Sequence, residues 1–285
     1  MHKINIQNFG PIDNCTFELS DFTILIGPQS SGKSTVTKLV YFFLNIRDEF
    51  VGFILDSIDE QKDKIDIRDF NKRLRRRFVE FWGPTPLKSD VYIHYEYKKN
   101  TWIEIKLDSV KHKFVNTLLS ADIADELYNS FKAARNVLVS AGTQSGSKLF
   151  TTTNNIYNDR SRGEIIESIR NHSKLLFNID KELLFIPAGR SLLSTLSDQL
   201  QFIHPHQLDY TMRTFIERIN LTKSFFGKSS EEIIREKQVL GNTEIWFSAI
   251  RKVSQMIKRI LKGEYIHDKE GGKLYVVKNT YTKIN

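Results

Sequence analysis

Eight consecutive residues carry the clearest chemistry in this sequence. They read Gly27-Pro28-Gln29-Ser30-Ser31-Gly32-Lys33-Ser34 and match the pattern G-x-x-x-x-G-K-[ST] at every fixed position. Glycines let such a loop curl so that successive backbone N–H groups face phosphate oxygens. Lys33 would place a positive charge on the β- and γ-phosphates, and Ser34 would be a ligand of Mg²⁺. The pattern predicts a site for ATP and Mg²⁺, with contacts from Gly27, Gln29, Ser30, Ser31, Gly32, Lys33, Ser34 and Thr35.

The segments on either side of this loop have the patterns that the motif requires. Residues Phe22 to Ile26 form an apolar run, which predicts a buried strand. Helical spacing of apolar residues begins at Lys33 and continues past Phe50, and we expect this long helix to bend near Arg47 and Gly52. Two further strands are predicted before residue 20, separated by a Gly-Pro turn.

The rest of the chain alternates between helical and strand-like patterns. Alternation over 91–107 predicts a β-hairpin, and period-four spacing from about 121 predicts a helix. The polar stretch 143–162 is predicted to be a mobile loop. Further elements are predicted as a helix near 164–178, a strand at 183–186, helices near 192–200, 207–220 and 245–261, and a hairpin at 264–277.

Three segments together resemble the heads of ABC-class ATPases of the SMC, RecF and OLD-nuclease kind. The first is Ile4 to Ile12, followed by a second strand and the phosphate-binding loop. The second is Leu184-Phe185-Ile186-Pro187-Ala188-Gly189-Arg190-Ser191, which is similar to a strand-end motif of bacterial members, many of them in anti-phage defence. The third is Ile260 to Tyr265, followed by a hairpin.

The resemblance implies an α/β P-loop NTPase fold of the ABC type, with an N-terminal antiparallel β-layer and an inserted helical and β-hairpin region. We expect the β-layer and nucleotide core at 1–60, the insertion at 61–180, and a return to the core at 181–285. The resemblance also implies a head-to-head homodimer, or a larger oligomer, with ATP at the interface.

Two hallmarks of that class do not occur in the sequence. There is no L-S-x-G-x signature opening a helix, and no apolar strand ending in Asp-Glu to supply Walker B carboxylates. The nearest imitation, residues 53–56, continues the helix after the loop and is predicted to be plain helix. The catalytic residues are therefore unknown. We expect the chain not to be a self-sufficient ATPase, with the missing parts in further sequence or in a partner chain.

A basic stretch marks a second candidate surface. Five of the six residues at 72–77 are basic, and aromatic residues follow them, a mixture that could contact phosphates and stack on bases. The alternative is a solvated helix face. Candidate contacts to nucleic acid or an acidic partner are Arg75, Arg76 and Arg77, and Arg190 at a strand end could approach phosphate, act between subunits or form a structural ion pair.

Composition limits the remaining classes. The formal net charge of +8 weakly favours polyanionic partners such as DNA or RNA. A single cysteine excludes an internal disulfide framework, and with no signal sequence it points to the cytoplasm. The sequence has no apolar run long enough to cross a bilayer, so no membrane partner is expected.

Three functions fit these observations. The leading one is ATP binding, with hydrolysis driving a nucleic-acid-linked process such as phage defence or DNA repair. The second is a scaffold that holds ATP as a structural ligand and controls a separate nuclease or toxin, which the missing Walker B carboxylates favour. The third, a small-molecule kinase or a GTPase, is disfavoured because the guanine-reading tetrapeptide Asn-Lys-x-Asp does not occur.

Overall fold

The computed structural model describes most of the chain in two compact units. The described residues are 1–82, 90–107, 116–144, 153–189 and 208–226, isolated positions between 248 and 260, and 263–268, 271–278 and 280–284. The first unit is Met1–Phe185 and the second is Ile186–Asn285.

An antiparallel sheet of five strands forms the first layer of unit 1. The strands are β1 (Lys3–Phe9), β2 (Ile12–Glu18), β3 (Val91–Lys98), β4 (Thr101–Leu107) and β5 (Asn116–Leu119). Their order is β2-β1-β3-β4-β5, so the predicted hairpin at 91–107 is confirmed. Because β3 pairs directly with β1, this hairpin joins the N-terminal strands in one β-layer.

The described helices of unit 1 form its second layer. They are α1 (Lys33–Asp59), α2 (Ile67–Trp82), α3 (Ala121–Gln144) and α4 (Thr153–Phe177). Helix α1 continues without a break for 27 residues, and the expected bend near Arg47 and Gly52 stays a prediction. Buried Arg47 donates to the carbonyls of Ile179 and Lys181. Gly52 gives room to the neighbouring helix α2, because a Cβ there would lie 2.9 Å from the guanidinium of Arg73.

The core lies between the sheet and α1. Alternate residues of β1 and β3 face the helix, as the two-residue period of a strand requires. Phe43 of α1 is fully buried and stacks on the ring of Tyr95, with the centroids 4.9 Å apart and the planes 8° from parallel. The hydroxyl of Tyr97 donates to the carbonyl oxygen of Phe43 at 2.6 Å, which satisfies the polar atom of a buried ring.

The predicted loop at 143–162 was largely wrong. Helix α3 extends to Gln144 and α4 begins at Thr153, while 145–152 lie outside the described residues. Farther along α4, Ile165 and Ile169 are buried, and α4 packs on both α3 and α1. A helix anchored in this way can continue into a polar segment of weak local preference, because tertiary packing overrides propensity.

Unit 2 contains helix α5 and a second sheet. Helix α5 (Tyr210–Phe226) matches the helix predicted near 207–220, and strands β6 (Gly263–Asp268) and β7 (Gly271–Lys278) form the predicted final hairpin. A third strand, β8 (Thr280–Ile284), pairs with β7 and was not predicted. The helix predicted at 192–200 lies outside the described residues, as does most of the one at 245–261. Among the described helices, none has the length and apolar character needed to cross a bilayer.

Candidate functional site

The phosphate-binding motif forms a tight loop at the start of α1. Ser30 and Gly32 both have left-handed backbone conformations, with φ of 63° and 90°. Alternating right- and left-handed residues turn successive N–H groups toward one concave face, which is an anion-binding arrangement. A Cβ on Gly32 would lie 2.7 Å from Cγ1 of Ile12, so glycine is required there both by conformation and by space. The first residue of β2 therefore packs directly against the loop.

The side chain of Lys33 is held by the loop itself. Its ammonium donates to the carbonyl oxygens of Gly27, at 2.7 Å, and of Pro28. A third bond reaches the hydroxyl oxygen of Ser31 at 3.2 Å. This last contact is the longest, so it is the one that a phosphate oxygen can most easily replace. The backbone carbonyls thus place a positive charge at the mouth of the loop.

The first turn of α1 is suited to an anion and a metal ion. It contains no acidic residue, and no side chain caps its N–H groups, so the positive end of the helix dipole is left to a ligand. Ser34 is exposed there and offers a hydroxyl oxygen, a hard ligand that fits Mg²⁺. The described residues contain no cluster of three or more His, Cys, Asp or Glu that could hold a metal.

The segment before the loop differs from the prediction. Phe22 to Ile26 was expected to be a buried strand, but the structure assigns it no strand and leaves it exposed. Phe22 is 80 % exposed, Ile24 65 % and Ile26 92 %. The physical reason is that no described strand pairs with either edge of the segment, and an apolar run is buried only where neighbours cover it.

The strand predicted at 183–186 fails in the same way. No strand is assigned there, and Leu184 and Ile186 are 57 % and 54 % exposed. Phe185, between them, turns to α1 and contacts the ring of Tyr41 with centroids 5.3 Å apart. Exposure therefore alternates along the segment as it would in a strand, but Leu184 and Ile186 face solvent and are not covered by another element. Arg190, which follows this segment, lies outside the described residues.

A pocket of about 470 Å³ opens beside the loop. Residues 11–15 at the start of β2 form one wall, and 25–28 form another. Ser31, Gly32, Lys33 and Val36 complete it. The volume lies in the range of small-molecule sites. Asp13 is the one carboxylate among these lining residues, so a second acidic group to hold metal or activate water is not supplied here.

The basic stretch on α2 is largely neutralised within the chain. Arg77 donates to Glu49 at 2.6 Å and to Glu80 at 3.1 Å. Arg73 also binds Glu49, at 2.8 Å. Arg76 lies 3.8 Å from Glu80 and its side chain is 71 % exposed. Lys72 pairs with Asp69. Arg75 is half-buried and has no ion pair among the described residues.

Residues 53–56, which partly match a Walker B segment, are part of α1, as predicted. Its last residue, Asp56, accepts a hydrogen bond from Arg73 of α2. The carboxylate therefore joins the ion pairs between the two helices. The sequence did not predict these ion pairs, because they join residues that are far apart in the chain and lie on different helices.

Comparison with known proteins identifies the family. The model of the AAA ATPase domain matches residues 1–284, nearly the whole chain. No curated protein matches the sequence. No solved structure matches it either. With the loop, Lys33 and Ser34 in place at the start of α1, the chain belongs to the AAA ATPase domain family and is an ATP-binding P-loop ATPase of the AAA type.

Proposed function

We propose that this chain is an ABC-type head of the SMC, RecF and OLD-nuclease kind, which binds ATP at the Lys33 loop and couples it to a nucleic-acid-linked process. The observation that supports this most is the join between β2 and the loop. Gly32 rests on Ile12 with no room for a Cβ, so the antiparallel β-layer and the phosphate site form one unit. This is the arrangement expected for ABC heads from the sequence. Anti-phage defence and DNA repair are the processes proposed.

Hydrolysis in this proposal depends on strands that the described residues do not contain. Two apolar segments expose large hydrophobic side chains and have no strand partners in the described part of the chain: Phe22 to Ile26 and Leu183 to Ile186. Phe22 to Ile26 leads directly into the loop, and an additional strand beside it would end near Ser34. Carboxylates at that end would supply the metal-binding and water-polarising groups that the pocket lacks. Further sequence or a second chain would provide them, in a head-to-head dimer or a larger oligomer.

Isothermal titration with ATP and Mg²⁺ tests the binding site. Lys33→Ala removes a charged donor from the terminal phosphates, and we expect the affinity to fall roughly a hundredfold. The matched control is Lys99→Ala, the same substitution in the turn between β3 and β4, and it should leave the affinity unchanged. Equal affinities in wild type and Lys33→Ala would overturn the assignment of the site.

A turnover assay separates the proposal from its main alternative. The alternative is a scaffold that binds ATP without hydrolysing it and controls a separate nuclease or toxin, and it is favoured by the engagement of Asp56 with Arg73. We expect the 285-residue chain to bind ATP but to turn it over slowly, and a longer or partner chain to restore turnover. Rapid hydrolysis by the isolated chain at high dilution would refute the need for added carboxylates. Failure of every longer or partner chain to restore it would favour the scaffold.

A further inference from the structure

Strand β2 is an unprotected edge of the five-stranded sheet. Among the described residues it pairs with β1 alone, whereas the other edge of the sheet is the four-residue strand β5. An edge strand carries a row of free backbone N–H and C=O groups, and proteins protect such edges with short strands, lysine, proline or a bulge. Strand β2 has seven residues, contains no lysine or proline, and keeps one register with β1 along its length. This edge is therefore open to pairing with another strand.

Exposed apolar side chains lie near this edge. Phe22 to Ile26 follows β2 in the chain, and its last residues, Leu25 and Ile26, line the same pocket as residues 11–15 at the start of β2. Ile24 and Ile26 are exposed. Free backbone groups beside uncovered apolar surface suit a protein partner that adds a strand to the sheet.

We propose that β2 pairs antiparallel with β2 of a second copy of this chain, about a two-fold axis at Cys15, so that the two sheets become continuous. The inference goes beyond the proposed binding of ATP and does not rest on it. It names a contact between copies that differs from a head-to-head dimer closed on ATP, because no nucleotide takes part in it.

The backbone of β2 favours this register. The N–H of Leu19 donates to the carbonyl oxygen of His2, and in an antiparallel ladder such bonded pairs recur at every second residue. Cys15 therefore directs its N–H and C=O groups toward β1, whereas Asn14 and Thr16 direct theirs to the free edge. With the axis at Cys15, Asn14 of one copy and Thr16 of the other form a bonded pair. All seven residues of β2 then have a residue opposite them.

The side chains of β2 agree with the same register. With the axis at Cys15, Asp13 of one copy lies opposite Phe17 of the other. Glu18 lies opposite Ile12, so no two like charges face each other across the axis. Moving the axis by one residue in either direction would leave two residues of each strand without a residue opposite them.

Sedimentation velocity without nucleotide tests the contact. We expect the chain at roughly 50 µM, above the micromolar dissociation constants of weaker interfaces, to sediment as a dimer of the 33.2 kDa chain. Asn14→Lys with Thr16→Lys places lysines opposite lysines and should give a monomer, as should Asn14→Glu with Thr16→Glu. An equimolar mixture of these two variants should restore the dimer, because opposite charges then face each other. The matched control is Asn116→Lys with Leu118→Lys, at exposed positions of β5, and it should remain dimeric.

Cys15 supplies a measurement of the register. Opposite residues of a pair without backbone hydrogen bonds have Cα atoms about 4.5 Å apart, which is close enough for a disulfide. Copper phenanthroline with oxygen removes two electrons and two protons from two thiols, and we expect it to link two wild-type chains through Cys15. Cys15 is the single cysteine of the sequence, so the linked product has one possible bond between the copies. Cys15→Ser with Asn116→Cys moves the thiol to β5 and should give no linked dimer.

The outcomes separate this contact from the proposed function. Lys33→Ala should lose affinity for ATP and still form the dimer, and retained affinity in a dimeric Lys33→Ala chain would overturn the ATP site alone. A monomeric wild-type chain, or a dimer that forms only with ATP, would overturn the pairing of β2 with itself and leave the edge to a different protein. A dimer that persists in both charged variants, or one that does not link through Cys15, would overturn it as well.

Discussion

The β-layer and the segment before the phosphate loop are both apolar strand patterns, yet they differ completely in burial. Ile4 and Ile6 of β1 are fully buried, whereas Phe22 is 80 % and Ile26 92 % exposed. The difference is one of neighbours: β1 pairs with β2 on one edge and β3 on the other, while no described strand pairs with Phe22 to Ile26. The loop is therefore supported through Ile12 on its β-layer side and is open on the other. An apolar pattern predicts that a segment is buried in the complete fold, but it does not say which neighbouring element buries it.

Two substitutions test this comparison most directly. Phe43→Ala removes a fully buried ring that stacks on Tyr95, and we expect a loss of about 3–5 kcal/mol in the free energy of unfolding. Ile26→Ser changes a side chain that is already exposed, and we expect a change within about 0.5 kcal/mol. Urea unfolding of the 285-residue chain measures both. A large loss in Ile26→Ser would mean that the segment is covered in solution, and the comparison would fail.

The join between the β-layer and the loop gives the next largest effect. Gly32→Ala forces a side chain onto a residue with φ of 90° and against Ile12, so the loop must shift. We expect the affinity for ATP to fall roughly tenfold or more, measured by isothermal titration. Gly163→Ala is the control, because a Cβ there meets nothing within 4 Å and alanine favours the helix. Unchanged ATP affinity in Gly32→Ala would show that the β-layer does not fix the loop.

The sequence predicted those parts of the molecule whose cause is local. The loop and the start of α1 at Lys33 follow from the motif, and the hairpin of β3 and β4 follows from two-residue alternation around the turn at Asn100. Nonlocal causes were missed. The length of α4 reflects the packing of its later residues, such as buried Ile165 and Ile169, against other helices, and the role of Gly52 depends on Arg73 from another helix. The sequence alone contained neither contact.

The arginines of α2 differ in how they are paired, and we expect substitutions of them to have smaller effects on stability. Arg77 binds Glu49, whose side chain is 10 % exposed, so Arg77→Gln leaves a largely buried carboxylate with one partner fewer. We expect this variant to lose about 1 kcal/mol of stability, because Arg73 still binds the same carboxylate. Arg76→Gln, with its exposed and distant pair, should be nearly neutral in urea unfolding. Equal losses in the two variants would mean that the ion pairs to Glu49 do not stabilise the helix pair.

The same residues test the proposed contact with nucleic acid. Arg75→Gln with Arg76→Gln removes two charges and leaves the pairs of Arg77 with Glu49 and Glu80 intact. If the stretch contacts phosphates, affinity for DNA or RNA falls and the slope of log affinity against log salt becomes shallower by about 2, since fewer counterions are released. A slope that does not change would assign the stretch to the surface alone.

The smallest expected effect concerns His2, which joins β1 to the residues after α4. One ring nitrogen lies 3.1 Å from the hydroxyl of Tyr95 and the other 3.1 Å from the carbonyl oxygen of Asn178. Burial lowers the pKa of His2 below its usual 6.5; the hydrogen bond to Asn178 partly opposes this, and the charge of the N-terminus adds to it. The folded chain therefore binds the proton less readily than the unfolded chain.

The sign of the pH effect follows from that difference. Stability from neutral His2 is fully present above pH 6.5 and falls as the pH drops below it, because the unfolded chain then takes up the proton first. The slope cannot exceed about 1.4 kcal/mol per pH unit for one proton.

The pKa of Glu104 is also lowered from its usual 4.5: burial opposes the shift, but hydrogen bonds from Lys106, Tyr92 and His94 outweigh it, so its effect on stability lies at lower pH. We expect His2→Gln, which keeps a donor and an acceptor without titrating near pH 6, to be less sensitive than wild type between about pH 5.5 and 7 in urea unfolding. If the two chains lose stability in parallel over that range, a different group titrates, and the contact of His2 with Tyr95 and Asn178 is independent of pH.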